Sequence, residues 1–315
     1  MFHIRLVPEK TSIPFVNWRK PAMAGSALLV LISLFMAFAP GLNFGIDFRG
    51  GILIEVQTEG PADLSDLRTR TGGLGLGEVS LQEFGAADTV LIRIEKQPGD
   101  ATAQQKAVAK VRAALGESLE YRRTEFVGPK VSGELIEAGA IAIALAVVLM
   151  LIYIWFRFEW HFGVGAVVAL IHDVALSVGM FAVTQMEFNL STIAALLTIV
   201  GYSINDTVVV YDRVRENLRK YKTMDLADVL NLAINDTLSR TSMTSVTTLL
   251  ALVALFIFGG AVIQGFVFAM MWGVIVGTYS SVFIAAPLLI VLGLGNRHRS
   301  DKGSGEDRDA AQTSS

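Results

Sequence analysis

The 315-residue sequence contains no cysteine, which excludes a disulfide framework, a thiolate metal site and a cysteine nucleophile. Charged residues are scarce, at 17% of the chain against about a quarter in a typical soluble domain. The 26 basic and 29 acidic residues nearly cancel, and the formal net charge is -3. This balance excludes a nucleic-acid-binding protein that acts through bulk positive charge.

Common enzymatic motifs are also missing. The sequence has no G-x-x-x-x-G-K-[ST] nucleotide loop, no H-E-x-x-H zinc motif and no G-x-S-x-G nucleophile turn. The four histidines, His3, His161, His172 and His298, are scattered along the chain, which argues against a zinc site. We therefore expect a non-enzymatic protein that binds no cofactor and does not rely on its own ATP hydrolysis.

Hydrophobic residues make up 52% of the chain and occur in long blocks. Because a helix rises about 1.5 Å per residue, about 20 apolar residues cross a hydrocarbon core about 30 Å thick. Six blocks are long enough, at residues 22–39, 138–156, 162–184, 188–211, 241–258 and 265–294. The pattern predicts a membrane bundle of six helices.

The first block has a second interpretation. Arg19 and Lys20 precede it, and it ends at residues 37–39 in an A-x-A pattern like that of a cleaved signal peptide. The block is longer than a typical signal-peptide core, and Pro40 follows it directly. We favour an uncleaved membrane anchor, with the signal peptide as the alternative.

Lysine and arginine residues fall on alternate sides of the predicted spans. They precede the first block, lie between the second and third and between the fourth and fifth, and follow the sixth. The short connections at 185–187 and 259–264 contain neither residue type. The positive-inside rule therefore predicts that both chain ends face the cytoplasm, and that the long connection at 41–133 lies outside it.

Residues 41–133 have the pattern of a small α+β domain. Alternating segments rich in β-forming residues predict strands at 51–58, 78–84, 89–95 and 120–127. A proline followed by acidic residues predicts a helix at 61–71, and apolar residues at helical spacing predict a second helix at 100–115. The order β-α-β-β-α-β is that of a ferredoxin-like domain.

The predicted organisation follows from these patterns. It comprises a cytoplasmic N-terminus at 1–21, transmembrane helix 1 at 22–40, an extracytoplasmic domain at 41–133, transmembrane helices 2–6 within 134–295 and a disordered cytoplasmic tail at 296–315. Apolar residues at helical spacing near 225–238 predict an amphipathic helix on the cytoplasmic face.

Charged residues inside the spans are the candidate functional residues. Asp206, next to Asn205, lies about 10 Å from the cytoplasmic boundary of the fourth block. An aspartate near a helix centre costs about 2.5 to 3.5 kcal/mol, so it is expected to be paired, protonated or functional. Arg240 begins the fifth block at a similar depth, although an arginine there can also extend to the headgroups. We predict that Asp206 and Arg240 form a proton relay in which helix movement changes their interaction.

Two further groups in the spans allow simpler interpretations. Asp173 lies near the middle of the third block beside His172, and the pair could exchange a proton or could form a hydrogen bond that packs helices together. The residues alone leave both roles open. Gly273, Gly277 and Ser281 form a small-xxx-small series, which predicts close helix packing.

Three segments of the sequence resemble the SecF subunits of the SecD/SecF family. Residues 43–51 read NFGIDFRGG and resemble the signature that follows the first span. Residues 200–217, VGYSINDTVVVYDRVREN, resemble the fourth-span signature, and residues 239–245, SRTSMTS, resemble the beginning of the fifth span. The resemblance extends from about residue 17 to about residue 294.

This resemblance implies a six-span half of a transporter of the resistance-nodulation-division type, with an inserted ferredoxin-like extracytoplasmic domain. It implies that SecD supplies the other half in the bacterial cytoplasmic (inner) membrane. SecDF uses the proton-motive force to draw preproteins through the SecYEG channel. Further implied partners are SecA, YajC and YidC. The family's proton-relay residues correspond to Asp206 and Arg240, whereas Asp173 receives no role from the resemblance.

Two other functions remain to be distinguished. A proton-driven exporter of small molecules or lipids belongs to the same superfamily, but about ninety extracytoplasmic residues are few for a cargo-binding domain. A passive scaffold of the translocase would not need a buried aspartate, so titration of Asp206 distinguishes it from a proton-coupled subunit.

Overall fold

The computed structural model describes residue 8 and residues 11–99, 101–116 and 119–294. The predicted disordered tail at 296–315 lies outside the described residues, as do most of the first ten residues. The described part of the chain consists of a helical membrane bundle with an α+β domain inserted after its first span.

The first span and the inserted domain follow a short N-terminal segment. A 3₁₀ turn at Phe15–Trp18 leads into helix α1 (Arg19–Phe38). The elements of the inserted domain are α2 (Ile46–Arg49), β1 (Gly51–Gln57), α3 (Leu64–Gly72), β2 (Val79–Phe84), β3 (Ala86–Ile94), α4 (Ala101–Leu115) and β4 (Glu120–Val127).

The strands form one antiparallel sheet in the order β2-β3-β1-β4. Alternate residues of β1, among them Ile52 and Ile54, are buried in a core to which α3 and α4 contribute Leu67 and Val111. The opposite face of β1 places Leu53 against Ile46 of α2. The predicted ferredoxin-like order is confirmed, while α2 was not predicted because a four-residue helix has too short a periodic pattern.

The remaining spans follow the sheet domain. They are α5 (Pro129–Arg157), α6 (Trp160–Thr184), α7 (Leu190–Lys220), α8 (Leu226–Phe258) and a last span made of α9 (Ala261–Ser280) and α10 (Ala286–Val291). A π-helical turn at Ser281–Ala285 joins α9 to α10. Pro287 follows this turn, and a proline inside a helix removes a backbone hydrogen bond and crowds the preceding turn.

The described residues contain six helices that are long and apolar enough to cross a membrane, as predicted. More than half of the apolar stretch in α6, α7 and the last span is buried, whereas about a tenth or less is buried in α1, α5 and α8. Helices α6, α7 and α9 therefore form the centre of the bundle. Polar side chains that are buried on these helices have to find partners inside the protein, because an unpaired polar group is costly there.

The amphipathic segment near 225–238 is continuous with the fifth span in the structure, because α8 has no interruption between Leu226 and Phe258. The apolar residues of this segment pack into the bundle core. On its other side, Asn231 and Asn235 accept 2.9 Å hydrogen bonds from the backbone amides of Val16 and Ile13. The segment therefore extends the fifth span and holds the N-terminal segment, and its apolar face is covered by protein.

The two ends of the bundle differ in composition. At one end, Arg93 of the sheet domain forms a 2.7 Å ion pair with Glu187 in the connection between α6 and α7. At the other end, Arg157 bonds to Asp212 at 2.7 Å, close to the basic end of α7. The sheet domain and this connection, which contains no basic residue, thus lie opposite the basic residues at the end of α7.

Candidate functional site

The segment at residues 43–51, called here the Gly-Gly segment, joins the sheet domain to the membrane bundle. Gly50 and Gly51 have φ angles of +70° and +123°, which side chains other than glycine rarely adopt. A Cβ atom on Gly51 would lie 2.6 Å from the carbonyl oxygen of Ile94. Glycine is therefore required where the chain passes from α2 into β1.

The Gly-Gly segment also contacts the beginning of α7. The backbone amide of Gly45 donates to the carbonyl oxygen of Phe188 at 2.9 Å, and the Phe188 amide donates to the carbonyl oxygen of Asn43 at 2.8 Å. Asp47 accepts a 3.0 Å hydrogen bond from the backbone amide of Leu190, the first residue of α7. The helix that carries Asp206 is thus bonded at its first turn to the segment that enters the sheet.

Asp206 is buried on α7, with 2% of its surface exposed. Thr278 of α9 and Asn205 are its polar neighbours, and Arg240 acts on its carboxylate through charge. Its Oδ2 atom is buried and accepts no hydrogen bond from the described residues. A carboxylate oxygen without a partner in an apolar bundle is unfavourable, and binding a proton removes its negative charge.

Arg240 lies at the same level of the bundle as Asp206. Asp206 is 14 residues before the end of α7, and Arg240 is 14 residues after the beginning of α8. Because these neighbouring helices are antiparallel, both residues lie about 21 Å from the connection between them. Arg240 is exposed, however, and the described residues include no direct ion pair between it and Asp206.

Two contacts between α7 and α8 lie on either side of the level that Asp206 and Arg240 share. Toward the basic end, Arg213 forms a 2.9 Å ion pair with Asp236. Toward the other end, the hydroxyl of Tyr202 donates to Ser245 at 3.3 Å, and Ser245 bonds to Thr278 of α9 at 2.7 Å. The sequence analysis missed Ser245 and Thr278 as polar groups near Asp206.

Asp173 of α6 is at the centre of a second polar cluster, with 1% of its surface exposed. His172 bonds to Asp173 Oδ1 through Nδ1 at 2.8 Å. Ser203 of α7 and Ser280 of α9 donate to Asp173 Oδ2 at 2.5 and 2.7 Å. This carboxylate therefore connects the three central helices, and a hydrogen-bonding role is present.

The sequence analysis missed Ser280 as a site residue. A serine on an apolar helix commonly bonds to its own backbone one turn back, so its presence carries little information. Ser280 does bond to the carbonyl oxygen of Gly277 at 3.1 Å, in addition to Asp173. Its position two residues after Thr278, a polar neighbour of Asp206, would have been the available signal.

The small residues of α9 allow α7 to approach closely. A Cβ atom on Gly273 would overlap the side chain of Ile199, and one on Gly277 would lie 3.1 Å from the Cβ atom of Ser203. The predicted close packing of this series is therefore present between α7 and α9 at these two glycines. It brings the Ser203 and Ser280 hydroxyls to the same carboxylate.

Comparison with known families agrees with this architecture. The model described as "Protein export membrane protein SecD/SecF, C-terminal" matches residues 107–295, which is more than half of the chain. The model described as "SecD/SecF GG Motif" matches residues 35–62, which include the Gly-Gly segment. The chain belongs to the SecD/SecF family.

Individual members of the SecD/SecF family match nearly the whole chain. The protein translocase subunit SecF of Rickettsia felis is 47% identical over 293 residues, which cover 92% of this chain and 94% of the relative. The protein translocase subunit SecF of Rhodobacter capsulatus is 48% identical over 316 residues, with 95% of each chain covered.

Solved structures of family members share the fold. The crystal structure of SecDF from Thermus thermophilus superposes with a TM-score of 0.82 at 35% identity and covers 91% of this chain. A structure of SecDF in a super-membrane-facing form gives a TM-score of 0.66 at 32% identity and covers 96% of this chain. This chain spans 39% and 41% of the two SecDF chains.

Proposed function

We propose that this chain is the SecF-type subunit of a bacterial protein translocase, in which it pairs with SecD and uses the proton-motive force to help move preproteins through SecYEG. The proposal is supported by relatives named protein translocase subunit SecF, which align over nearly their whole length. The SecDF structures contain more than twice the length of this chain. A separate SecD subunit would supply the remainder.

The observation that carries the proton coupling is the buried Asp206 carboxyl group, whose Oδ2 accepts no hydrogen bond from the described residues. A scaffold gains nothing from such a residue, since an aspartate in a span costs about 2.5 to 3.5 kcal/mol. A proton that binds a carboxylate at this depth, in contrast, moves through part of the membrane potential and can use its energy. One elementary charge that crosses 100 mV gains about 2.3 kcal/mol.

The surface beside Asp206 supports the need for a partner. Asn205 and Arg240 are exposed in the single chain although both lie deep in membrane spans. An arginine that faces lipid at this depth is costly, while an arginine inside a protein interface can bond to polar groups. We infer that SecD covers this face of α7 and α8 and completes the proton site.

In this mechanism a proton that enters from outside the cytoplasm binds Asp206 and neutralises it. The attraction between Arg240 and Asp206 is lost in that state, so α8 is free to shift relative to α7. Release of the proton to the cytoplasm restores the attraction. The Asp47 contact with Leu190 provides a connection from α7 to the sheet domain, which lies outside the inner membrane in this proposal while both termini are cytoplasmic.

The test is preprotein export in inverted membrane vesicles that contain SecD and SecYEG, with and without a proton gradient. Asp206→Asn keeps the size of the side chain but cannot exchange a proton, so the gradient should no longer accelerate export. Asp212→Asn is the matched control, because Asp212 is on the same helix but is half-exposed and paired with Arg157. If Asp206→Asn vesicles respond to the gradient as the parent does, proton coupling at this residue is refuted.

A further inference from the structure

The Asp173 carboxyl group is in hydrogen-bond contact with side chains of three helices. Both carboxylate oxygens are used, Oδ1 by His172 and Oδ2 by Ser203 and Ser280, at 2.5 to 2.8 Å. The hydrogen bonds from Ser203 and Ser280, and from His172 when its Nδ1 carries a proton, favour the ionised form of the carboxylate, whereas burial favours the neutral form. An ionised carboxylate that is 1% exposed in a membrane bundle requires a compensating positive charge, and His172 is the ionisable group in contact with it.

His172 itself leaves one ring nitrogen without a partner. Its side chain is about 6% exposed, Nδ1 bonds to Asp173, and Nε2 accepts or donates no hydrogen bond among the described residues. A neutral histidine that donates through Nδ1 would leave a buried lone pair at Nε2, and a protonated histidine would leave a buried N–H there. In a histidine that stays neutral and only packs against its neighbours, the unpaired Nε2 atom is unfavourable and has no function. A histidine that gains and loses a proton, in contrast, requires a ring nitrogen that is free to bind it.

The groups that face the pair come from each helix packed against it. The ring of Tyr279 on α9 stacks on His172 at a centroid distance of 6.1 Å, and its hydroxyl bonds to Ser26 of α1 at 3.0 Å. Helix α7 contributes Ser203, and its titratable group Asp206 lies one helical turn further along. The spanning part of α1, residues 21–38, and the spanning part of α5, residues 138–156, contain no charged residue.

The carboxylates of Asp173 and Asp206 are linked through two helices, α7 and α9. Ser203 and Asp206 are three residues apart on α7, and Thr278 and Ser280 are two residues apart on α9. Each helix thus carries one residue at the Asp173 cluster and one at the Asp206 site. A shift of α7 or α9 that alters one set of contacts must alter the other, because the helices are rigid over so short a distance.

We propose that His172 and Asp173 form a second proton-binding site, and that its protonation state controls how α7 and α9 pack against α6. A proton on Oδ2 of Asp173 makes that atom a hydrogen-bond donor with reduced acceptor capacity, so its bonds from Ser203 and Ser280 have to rearrange. A proton on His172 preserves both bonds. The site rests on the proposed proton coupling for its role in export, but proton binding itself is tested separately.

Proton binding can be followed on the full chain in lipid nanodiscs by NMR of ¹⁵N-labelled histidine, with the His172 signal identified by its loss in His172→Gln. We expect this signal to change with pH over the range from about pH 5 to pH 8, in which histidine side chains in general exchange a proton. Asp173→Asn should displace the midpoint by about one pH unit or more, and Asp206→Asn by a smaller amount. Ser177→Ala should leave it unchanged, because Ser177 bonds to the backbone carbonyl of Asp173 and not to the carboxylate.

A His172 signal that stays in one protonation state across this range would overturn the proposal. An equal midpoint in the parent and in Asp173→Asn, or in the parent and in Asp206→Asn, would do the same. Should Asp173→Asn fail to fold, Ser203→Ala removes one donor to the carboxylate with little change in volume. Its midpoint has to differ from that of Ser177→Ala if the site is as described.

A second experiment measures the pH at which a proton gradient half-maximally accelerates export in vesicles. Ser203→Ala and Ser280→Ala should shift this pH, whereas Ser177→Ala should not. A loss of rate at every pH without a shift would indicate packing alone and would overturn the proposal. If Asp206→Asn abolishes the acceleration while His172 does not titrate, the second site fails and the proposed function stands. If His172 titrates as expected while Asp206→Asn leaves the acceleration of export unchanged, the proposed function fails instead.

Discussion

Asp47 accepts a hydrogen bond of 3.0 Å from the backbone amide of Leu190, although 143 residues separate them in the chain. Leu190 begins α7, and the first amides of a helix have no partner within it. The carboxylate also lies at the positive end of the helix dipole. The Gly-Gly segment therefore caps the helix that carries both Ser203 and Asp206, which links the sheet domain to the centre of the bundle.

Removal of this cap should loosen the first turn of α7. Asp47→Ala should lower the free energy of opening of the amides at 190–192 by about 1 kcal/mol, which hydrogen exchange measures. Asp63→Ala is the matched control, because Asp63 caps α3 through the amides of Ser65 and Asp66. It should affect those amides and leave α7 unchanged. Unchanged exchange at 190–192 in Asp47→Ala would show that Asn189 caps the helix sufficiently.

The second prediction concerns Gly51. Gly51→Ala should destabilise the sheet domain by about 1 to 3 kcal/mol, because alanine disfavours the positive φ angle and its Cβ would collide with the Ile94 carbonyl. Pulse proteolysis of the full chain in detergent measures the loss. Gly60→Ala should have little effect, since no atom lies within 4 Å of a Cβ atom at that position. Equal stability of the two variants would contradict the assigned geometry.

The third prediction concerns the contact between α7 and α9. Gly273→Ala should destabilise the bundle by about 1 to 3 kcal/mol, because the added methyl group overlaps Ile199 and forces the helices apart. Gly201→Ala on α7 is the control, because a Cβ atom there meets no atom within 4 Å. Thermal unfolding in detergent should separate the two variants. A lower melting temperature for Gly201→Ala than for Gly273→Ala would refute this packing.

The fourth prediction tests the side of the membrane on which each region lies. The chain has no cysteine, so single cysteines can be introduced at will. In intact cells an impermeant thiol reagent should label Glu59→Cys in the sheet domain and should not label Lys220→Cys at the basic end of α7. After permeabilisation both positions should react. Labelling of position 220 alone in intact cells would reverse the proposed orientation.

The fifth prediction concerns the charge at Arg240. Arg240→Met should remove most of the acceleration of export by a proton gradient, whereas Arg240→Lys should retain part of it, because lysine keeps the charge but lacks the planar guanidinium group. Arg219→Met serves as the control, since Arg219 is an exposed arginine at the end of α7. Equal export by Arg240→Met and the parent would exclude a role for this charge.

Local patterns were sufficient to predict much of this protein. The six spans follow from apolar runs of the required length, and the order of strands and helices in the sheet domain follows from alternating and helical spacing. Each pattern depends on which neighbours along the same element are apolar. Asp206 and Arg240 stood out for a related reason, because a charge within an apolar run is unusual wherever the helix lies.

Contacts between elements were decided by the tertiary structure. Asp173 could be assigned to packing or to proton exchange from the sequence, and its partners Ser203 and Ser280 lie 30 and 107 residues away. Arg240 reaches the level of Asp206, yet the structure leaves it exposed without a direct ion pair to that residue. Which side chains meet across helices depends on the rotation and depth of each helix. Those are determined by close packing, such as that of Gly273 against Ile199, which apolar spacing along one helix does not encode.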